Sequence, residues 1–346
     1  MTQVTGAGKP ESGVALSNEQ RREGRCRRGV GTGPPRFSPL ILRVTLSNTS
    51  CDLAFSKYRD AMHSHISLLT DYGLNDEFVG VMKSVIVDVA PHVRITDLTH
   101  GVPAFDVRAG SLALARAIQY VPAGIVIAVV DPGVGSSRRA IAIEIANGQG
   151  ILLGPDNGLL TSAAAMAGGA ERAFELTNTD LHLGAPGVTF AGRDVFAPVA
   201  AFLCNGGTLE EVGREIDTAS VMPGLVPIPT ETTHDTFGEG VKCEVTWVDA
   251  YGNCQLNAGP EDLQQFGPIL RLVIGEDIRS ARVVSHFADI DGGAIGAVID
   301  SYGMIALAVD RQSAAVELRL QAGDAVHVFA GESGVSTSSV TLRSTQ

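Results

Sequence analysis

Residues Gly124–Val130 read GIVIAVV, an unbroken apolar run, and Asp131-Pro132-Gly133-Val134-Gly135 follows at once. A run of this length stopped by a turn sequence is the pattern of a strand covered on both faces, as in the middle of a parallel sheet. Upstream, His65–Thr70 (HISLLT) reads as a strand ending at Asp71. It precedes a helical pattern with apolar residues at Phe78, Val81, Met82, Val85, Ile86 and Val89. The unit then repeats, with a strand at Val93–Leu98 and a helix at Val107–Tyr120. Downstream, Ala140–Ile145 and Gly150–Leu153 are further strand candidates, and Val195–Cys204 has helical character. Strands alternating with helices predict an α/β fold, a doubly wound, mostly parallel sheet with helices on both faces and its ligand at the carboxyl ends of the strands.

From about Thr208 to Phe237 the chain turns irregular, with Pro223, Pro227 and Pro229. Beyond it, Gly240–Trp247, Leu270–Ile274, Gly296–Ile299, Ile305–Val309 and Asp324–Ala330 are short alternating segments broken by glycine, which predicts a smaller C-terminal all-β domain, barrel or sandwich. The expected organisation is an α/β domain over residues 64–225, a β domain over 237–331, a tail over 332–346 and a basic extension over 1–61.

The 346 residues carry 26 Lys and Arg against 38 Asp and Glu. Ten of the basic and five of the acidic residues fall in 1–61, so that segment has a charge of +5 and the remainder −17. An acidic body argues against a nucleic-acid partner or an anionic membrane surface, because phosphate binding needs clustered Lys and Arg. Residues 1–61 are rich in Gly, Ser, Pro and Arg with no helical or strand period, which predicts disorder, or a native start nearer Met62. The five cysteines (Cys26, Cys51, Cys204, Cys243, Cys254) are widely spaced and form no Cys-x-x-Cys. No apolar run is long enough to span a bilayer, and the first thirty residues lack the apolar core of a signal peptide. A cytoplasmic protein with a small-molecule ligand is expected.

The chemistry-bearing residues fall where strands end. A carboxylate at Asp71 can accept both hydroxyls of a ribose, or can cap the next helix. With no Gly-x-Gly-x-x-Gly and no Gly-Lys-Ser/Thr, a nucleoside without a polyphosphate fits better than NAD or ATP. Asp131 and Arg138 flank a glycine-bearing turn, and a carboxylate with a guanidinium can hold one water or simply form an ion pair. Gly154–Gly158 and Thr189–Asp194 carry the same ambiguity between ligand loop and structural turn. Asp97, Thr99 and His100 end the second strand, where a hydrogen-bonded histidine is the simpler reading than a metal site. No Gly-x-Ser-x-Gly elbow supports a serine nucleophile.

Leu69-Thr70-Asp71-Tyr72-Gly73, Asp97-Leu98-Thr99-His100, Asp131-Pro132-Gly133-Val134-Gly135-Ser136-Ser137-Arg138-Arg139, Gly154-Pro155-Asp156-Asn157-Gly158 and Thr189-Phe190-Ala191-Gly192-Arg193-Asp194 occur in this order, followed by Asp249-Ala250-Tyr251-Gly252-Asn253 and Asp300-Ser301-Tyr302-Gly303. Together they resemble the S-adenosyl-L-methionine (SAM) hydroxide adenosyltransferase family, kin to fluorinases and chlorinases, over about residues 64–331. The resemblance implies hydrolysis of SAM to adenosine and L-methionine in a homotrimer, with SAM between one subunit's first domain and a neighbour's second. SAM is then substrate, and neither cofactor nor metal is required. By position, Asp71 would hold the ribose and Phe105 would cover the nucleoside. Asn157, Thr189 and Phe190 would line the pocket, and Asp249 would bind the methionine ammonium. Ser301 would bind its carboxylate, while Asn253 and Arg311 would frame the adenine. Asp131 would orient or deprotonate the water and Arg138 would fix Asp131.

Asp131 stands where the fluorinase has a tyrosine. Two like unit charges at ~4 Å repel by about 4 kcal/mol at an effective dielectric near 20, which disfavours a halide at that position. The halogenases also carry an inserted loop that the stretch Glu144–Ile151 is too short to hold. Two departures from the family stand out. Tyr302 follows the serine where the halogenases have an arginine. Ala191 occupies the place of the histidine that completes an Asp-Arg-His triad in the hydrolases, with His100 and His182 the nearest alternatives by sequence. A halide adenosyltransferase and a SAM- or adenosine-binding protein with little turnover therefore stand beside the hydrolase expectation.

Overall fold

The computed structural model describes residues 63–332. The expectations for residues 1–61, and for nearly all of the tail, fall outside this range.

A seven-stranded sheet comes first. Its strands are β1 (His65–Thr70), β2 (Arg94–Thr99), β3 (Gly124–Val129), β4 (Ala140–Ile145), β5 (Gly150–Pro155), β6 (Arg172–Glu175) and β7 (Arg214–Ile216), in the order β2-β1-β3-β5-β4-β6-β7. The first four in that order run parallel, and β4, β6 and β7 extend the sheet antiparallel. The run GIVIAVV forms the centre, every residue of β3 being buried. Its side chains alternate between two cores, as a strand of period two with both faces covered must. Ile125, Ile127 and Val129 meet Met82 and Ile86 of α1 (Phe78–Val89) together with helix Ala197–Cys204. Val126, Ala128 and Val130 meet Leu114 of α2 (Val107–Ala117) and Ala163 and Ala164 of helix Thr161–Met166. Helices therefore lie on both faces. Asp106 caps α2 by accepting the Ala109 amide at 2.8 Å.

The chain leaves β1 toward β2 on one side and returns to β3 on the other. The strand order reverses here, so the carboxyl ends of β1 and β3 open a crevice and bring residues 71 and 131 to its walls.

The second sheet comprises β8 (Thr230–His234), β9 (Gly238–Val248), β10 (Cys254–Leu256), β11 (Ile269–Ile274), β12 (Asp277–Val284), β13 (Ile295–Ile299), β14 (Ile305–Val309) and β15 (Ala325–Ala330). The eleven-residue β9 pairs with β15 through its first half and with β10 through its second, past a register shift, and this closes seven strands into a barrel with β8 outside. Alternate residues Val241, Cys243 and Val245, Leu270 and Leu272, and Val326 and Val328 fill the interior. The barrel meets α2 through the Arg108–Glu244 ion pair and through the Arg116 guanidinium, which lies 4.3 Å above the Trp247 ring.

The segment read as irregular contains β7 and β8, and the barrel adds β10 and β12 to the strands read from sequence. Three-residue strands show no period, and β12 carries Asp277, Arg279 and Arg282 on a largely exposed strand. Among the described residues no helix is long and apolar enough to cross a membrane.

Candidate active site

Asp71 leaves the end of β1 and caps no helix, since Glu77 precedes α1. Its Oδ2 accepts the Phe105 amide at 2.9 Å. Phe105 sits at φ 68° with its ring mostly exposed, a left-handed backbone uncommon for a bulky residue and fixed here by that bond. The Asp71 carboxylate thereby anchors the Phe105 backbone at the crevice, with the ring left mostly in solvent.

Asp131 follows β3, and its carboxylate is gripped by Arg138, whose Nε lies 2.9 Å from each oxygen. The two side chains are 5 % and 16 % exposed. A buried, bidentate pair of this kind is charge-assisted and rigid, and it fixes the direction in which any remaining lone pair points. The intervening turn is closed by Ser136, which donates to the Gly133 carbonyl at 2.6 Å, and by Gly135 at φ 80°, a conformation glycine adopts without strain. Pairing also bears on the halide argument. The Arg138 guanidinium balances the Asp131 charge, so exclusion of an anion rests on shape and hydrogen bonding more than on net repulsion.

Three residues not assigned roles from sequence organise the crevice. The Tyr72 ring lies 5.6 Å from both Phe78 and Phe190, and Phe78 and Phe190 are 5.0 Å apart. Burial, reinforced by the carboxylates of Asp71 and Asp131, holds the Tyr72 phenol far above its ordinary pKa. Tyr72 is therefore a neutral hydrogen-bonding group close to both carboxylates. Gly192 admits it, since a Cβ there would lie 2.7 Å from the Tyr72 hydroxyl oxygen and 2.9 Å from Met82 Sδ. The third, Asp97, tethers the end of β2. His100 hydrogen-bonds Thr70 Oγ1 through Nδ1 at 2.9 Å, and its Nε2 lies 3.1 Å from Asp97 Oδ1. Burial would raise the Asp97 pKa, but hydrogen bonds from Lys83 and His100 outweigh it and hold the carboxyl below its usual range.

Asn157 donates to the Val130 carbonyl at 2.9 Å and accepts the Leu159 amide at 3.2 Å, so its amide braces the end of β3. Thr189 and Phe190 precede a π-helical turn, Gly192–Phe196, where Arg193 forks onto Asp194 and stands 5.0 Å over the Phe190 ring. On the barrel, Asp249 accepts the Tyr251 and Asn253 amides at 2.9 Å and the Asn253 side-chain amide at 2.8 Å. The β10–β14 register brings the residues after β14, including Arg311 at φ 55°, toward this turn. Ser301 is exposed in the β13–β14 turn, where Asp300 accepts the Tyr302 amide at 2.8 Å. The structure thus gathers Asp71, Phe105, Asp131, Arg138 and Phe190 around one crevice, and Asp249, Asn253 and Arg311 around one barrel rim.

Beside Arg138 is a pocket of about 260 Å³, partly open to solvent past Gly135, Ser136 and Gly187 and bordered on its inner side by His182, Ala191, Asp194 and Val195. Of the two histidines considered for the place of Ala191, His182 borders this cavity and His100 does not.

These features define a class, an α/β sheet with a carboxylate-lined crevice at its switch point and a β barrel appended. Family models for the SAM hydroxide adenosyltransferase N-terminal and C-terminal domains match residues 66–213 and 243–327. An (R)-S-adenosyl-L-methionine hydrolase of Salinispora tropica is 43% identical over 267 residues, covering 77% of this chain and 98% of the relative. A fluorinase of Actinoplanes sp. is 29% identical over 294 residues, covering 76% and 96%. A crystal structure of an uncharacterized conserved protein from Thermotoga maritima aligns with a TM-score of 0.69 at 35% identity, covering 76% of this chain and 99% of that one. The chain belongs to the SAM hydroxide adenosyltransferase family.

Proposed function

We propose that the protein hydrolyses S-adenosyl-L-methionine to adenosine and L-methionine by in-line attack of water on C5′. The observation that carries this reading is the buried, bidentate Asp131–Arg138 pair at the same crevice as Asp71, in a chain 43% identical to a named hydrolase. The sulfonium leaves as a neutral thioether, so departure needs no acid. The protein's task is to hold one water opposite the sulfur and to exclude others. Asp131 orients that water with its carboxylate held by Arg138, while Asp71 takes the ribose hydroxyls beneath Phe105. Thr189 and Phe190 line the pocket and Asn157 braces it.

Asp249, Ser301, Asn253 and Arg311 belong to the methionine and adenine ends of the substrate, delivered by a neighbouring subunit in a homotrimer. Large exposed apolar side chains at Phe105, Tyr251 and Val316 support burial against another copy.

Incubation of the purified protein with SAM, with and without chloride, bromide or fluoride, tests the reading by chromatography of the nucleoside formed. Adenosine in every condition is expected. A 5′-halo-nucleoside identifies a halide adenosyltransferase, the outcome left open by the neutralisation of Asp131. Binding without product identifies a SAM-binding protein. Asp131→Ala is expected to lower adenosine formation at least a hundredfold while SAM affinity, measured by calorimetry, changes less than about threefold; an active variant removes Asp131 from the chemistry.

A further inference from the structure

The pocket beside Arg138 has a histidine built into its wall by a backbone device. Pro198 follows the π-helical turn and has no amide hydrogen with which to bond the Asp194 carbonyl four residues back. That carbonyl instead accepts the Leu183 amide at 2.8 Å. The bond draws the loop after the short 3₁₀ turn Thr179–Leu181 against the π turn and places His182 beside Arg138, Ala191 and Asp194.

His182 Nε2 is fully buried and has no hydrogen-bond partner among the described residues. Burial holds the ring's pKa below its ordinary 6.5, so the imidazole is neutral at pH 7. A buried polar atom without a partner is uncommon and calls for an explanation such as water or function. Here the ring borders a space large enough for several waters, with the alanine methyl leaving that space clear. Other charged groups on the cavity are already committed. Arg138 is locked to Asp131 on the β3–β4 turn, and Asp194 is held by Arg193 on the π turn. His100 is occupied at Nδ1 by Thr70 and faces Asp97 with Nε2.

We propose that His182 accepts the proton released when water attacks SAM, reached through water in the cavity beside Arg138. The inference rests on the hydrolase reading given above. As the water oxygen bonds C5′, the C5′–S bond breaks and its electron pair stays on sulfur. One water proton remains on the new 5′-hydroxyl. The other passes through cavity water to His182 and then to solvent. Asp131 has both carboxylate oxygens bonded to Arg138, and that charge-assisted grip fixes its orientation toward the water. It orients the water while His182 takes the proton.

Adenosine formation by the full-length protein is measured against pH for wild type, His182→Asn and His182→Gln, with circular dichroism confirming the fold of each. Wild type is expected to lose kcat in acid, with a midpoint below 6.5. The sign follows from the requirement for a neutral ring: its lowered pKa keeps activity intact down to that midpoint, and activity falls below it. Both variants are expected to lose about 10²–10³-fold in kcat and the acid limb, with KM for SAM changed less than about twofold. Adding Ala191→His to His182→Asn is expected to restore at least tenfold of the lost kcat by supplying an imidazole from another wall of the same cavity. An active wild type whose folded His182 variants keep both kcat and the acid limb overturns the role of His182 alone. A folded wild type that makes no adenosine overturns the hydrolase reading, and this role with it.

Discussion

Gly192 and Tyr72 show how a single atom can set the geometry of the crevice. The Tyr72 ring is packed on Phe78 and Phe190 and has little freedom to retreat from a methyl group placed 2.7 Å from its hydroxyl. Gly192→Ala is therefore expected to destabilise the fold by about 1–3 kcal/mol, the range for overpacking, and to displace the ring lying near Asp71 and Asp131. Thermal unfolding and SAM turnover are the measurements; unchanged values in both would show that the aromatic cluster yields without consequence. Asp71, Asp131 and Arg138 were legible in the sequence because charged residues at the ends of apolar strands stand out against their surroundings. Tyr72 and Gly192 were visible only as members of motifs. Their contribution is a fit between a phenol and a missing Cβ across more than a hundred residues of chain, and no local pattern records such a fit.

At the scale of elements, the helix expected from Val195 begins instead as a π turn at Gly192 and becomes α-helical at Ala197. Pro198 explains why the turn is tolerated, since no amide at 198 competes for the Asp194 carbonyl. Pro198→Ala supplies that amide. It is expected to loosen the Leu183–Asp194 bond by about 1 kcal/mol, read as roughly fivefold faster hydrogen exchange at the Leu183 amide. Lower kcat with intact helical content is expected to accompany it, because the same bond positions His182. Unaltered exchange at Leu183 would show that the loop is held by its side chains instead. The major strands were legible from period and run length because burial on one or both faces imposes those patterns. Strands β6, β7, β8, β10 and β12 were not, being too short or too exposed for burial to shape their composition.

At the scale of the whole molecule, the two groups of candidate substrate residues belong to different sheets, the crevice of the α/β sheet and a rim of the barrel. Asp249 and Asn253 spend their hydrogen bonds on each other and on their own turn, and Asp71 spends one on Phe105. If each substrate site takes its crevice from one subunit and its rim from the next, as proposed for a cyclic trimer, two inactive variants damaged on opposite sides must repair one another. Asp131→Ala spoils the crevice and leaves the rim intact, while Asp249→Ala does the reverse. Each alone is expected to be nearly inactive. Co-expressed in equal amounts and assembled at random, they place an intact crevice against an intact rim in about a quarter of the sites, and SAM turnover is expected to recover to that fraction of wild type. Light scattering should give three times the 36.1 kDa chain mass for each species. Recovery absent from mixed assemblies of that mass would place both halves of the site within one chain, and the barrel rim would then have to reach its own crevice.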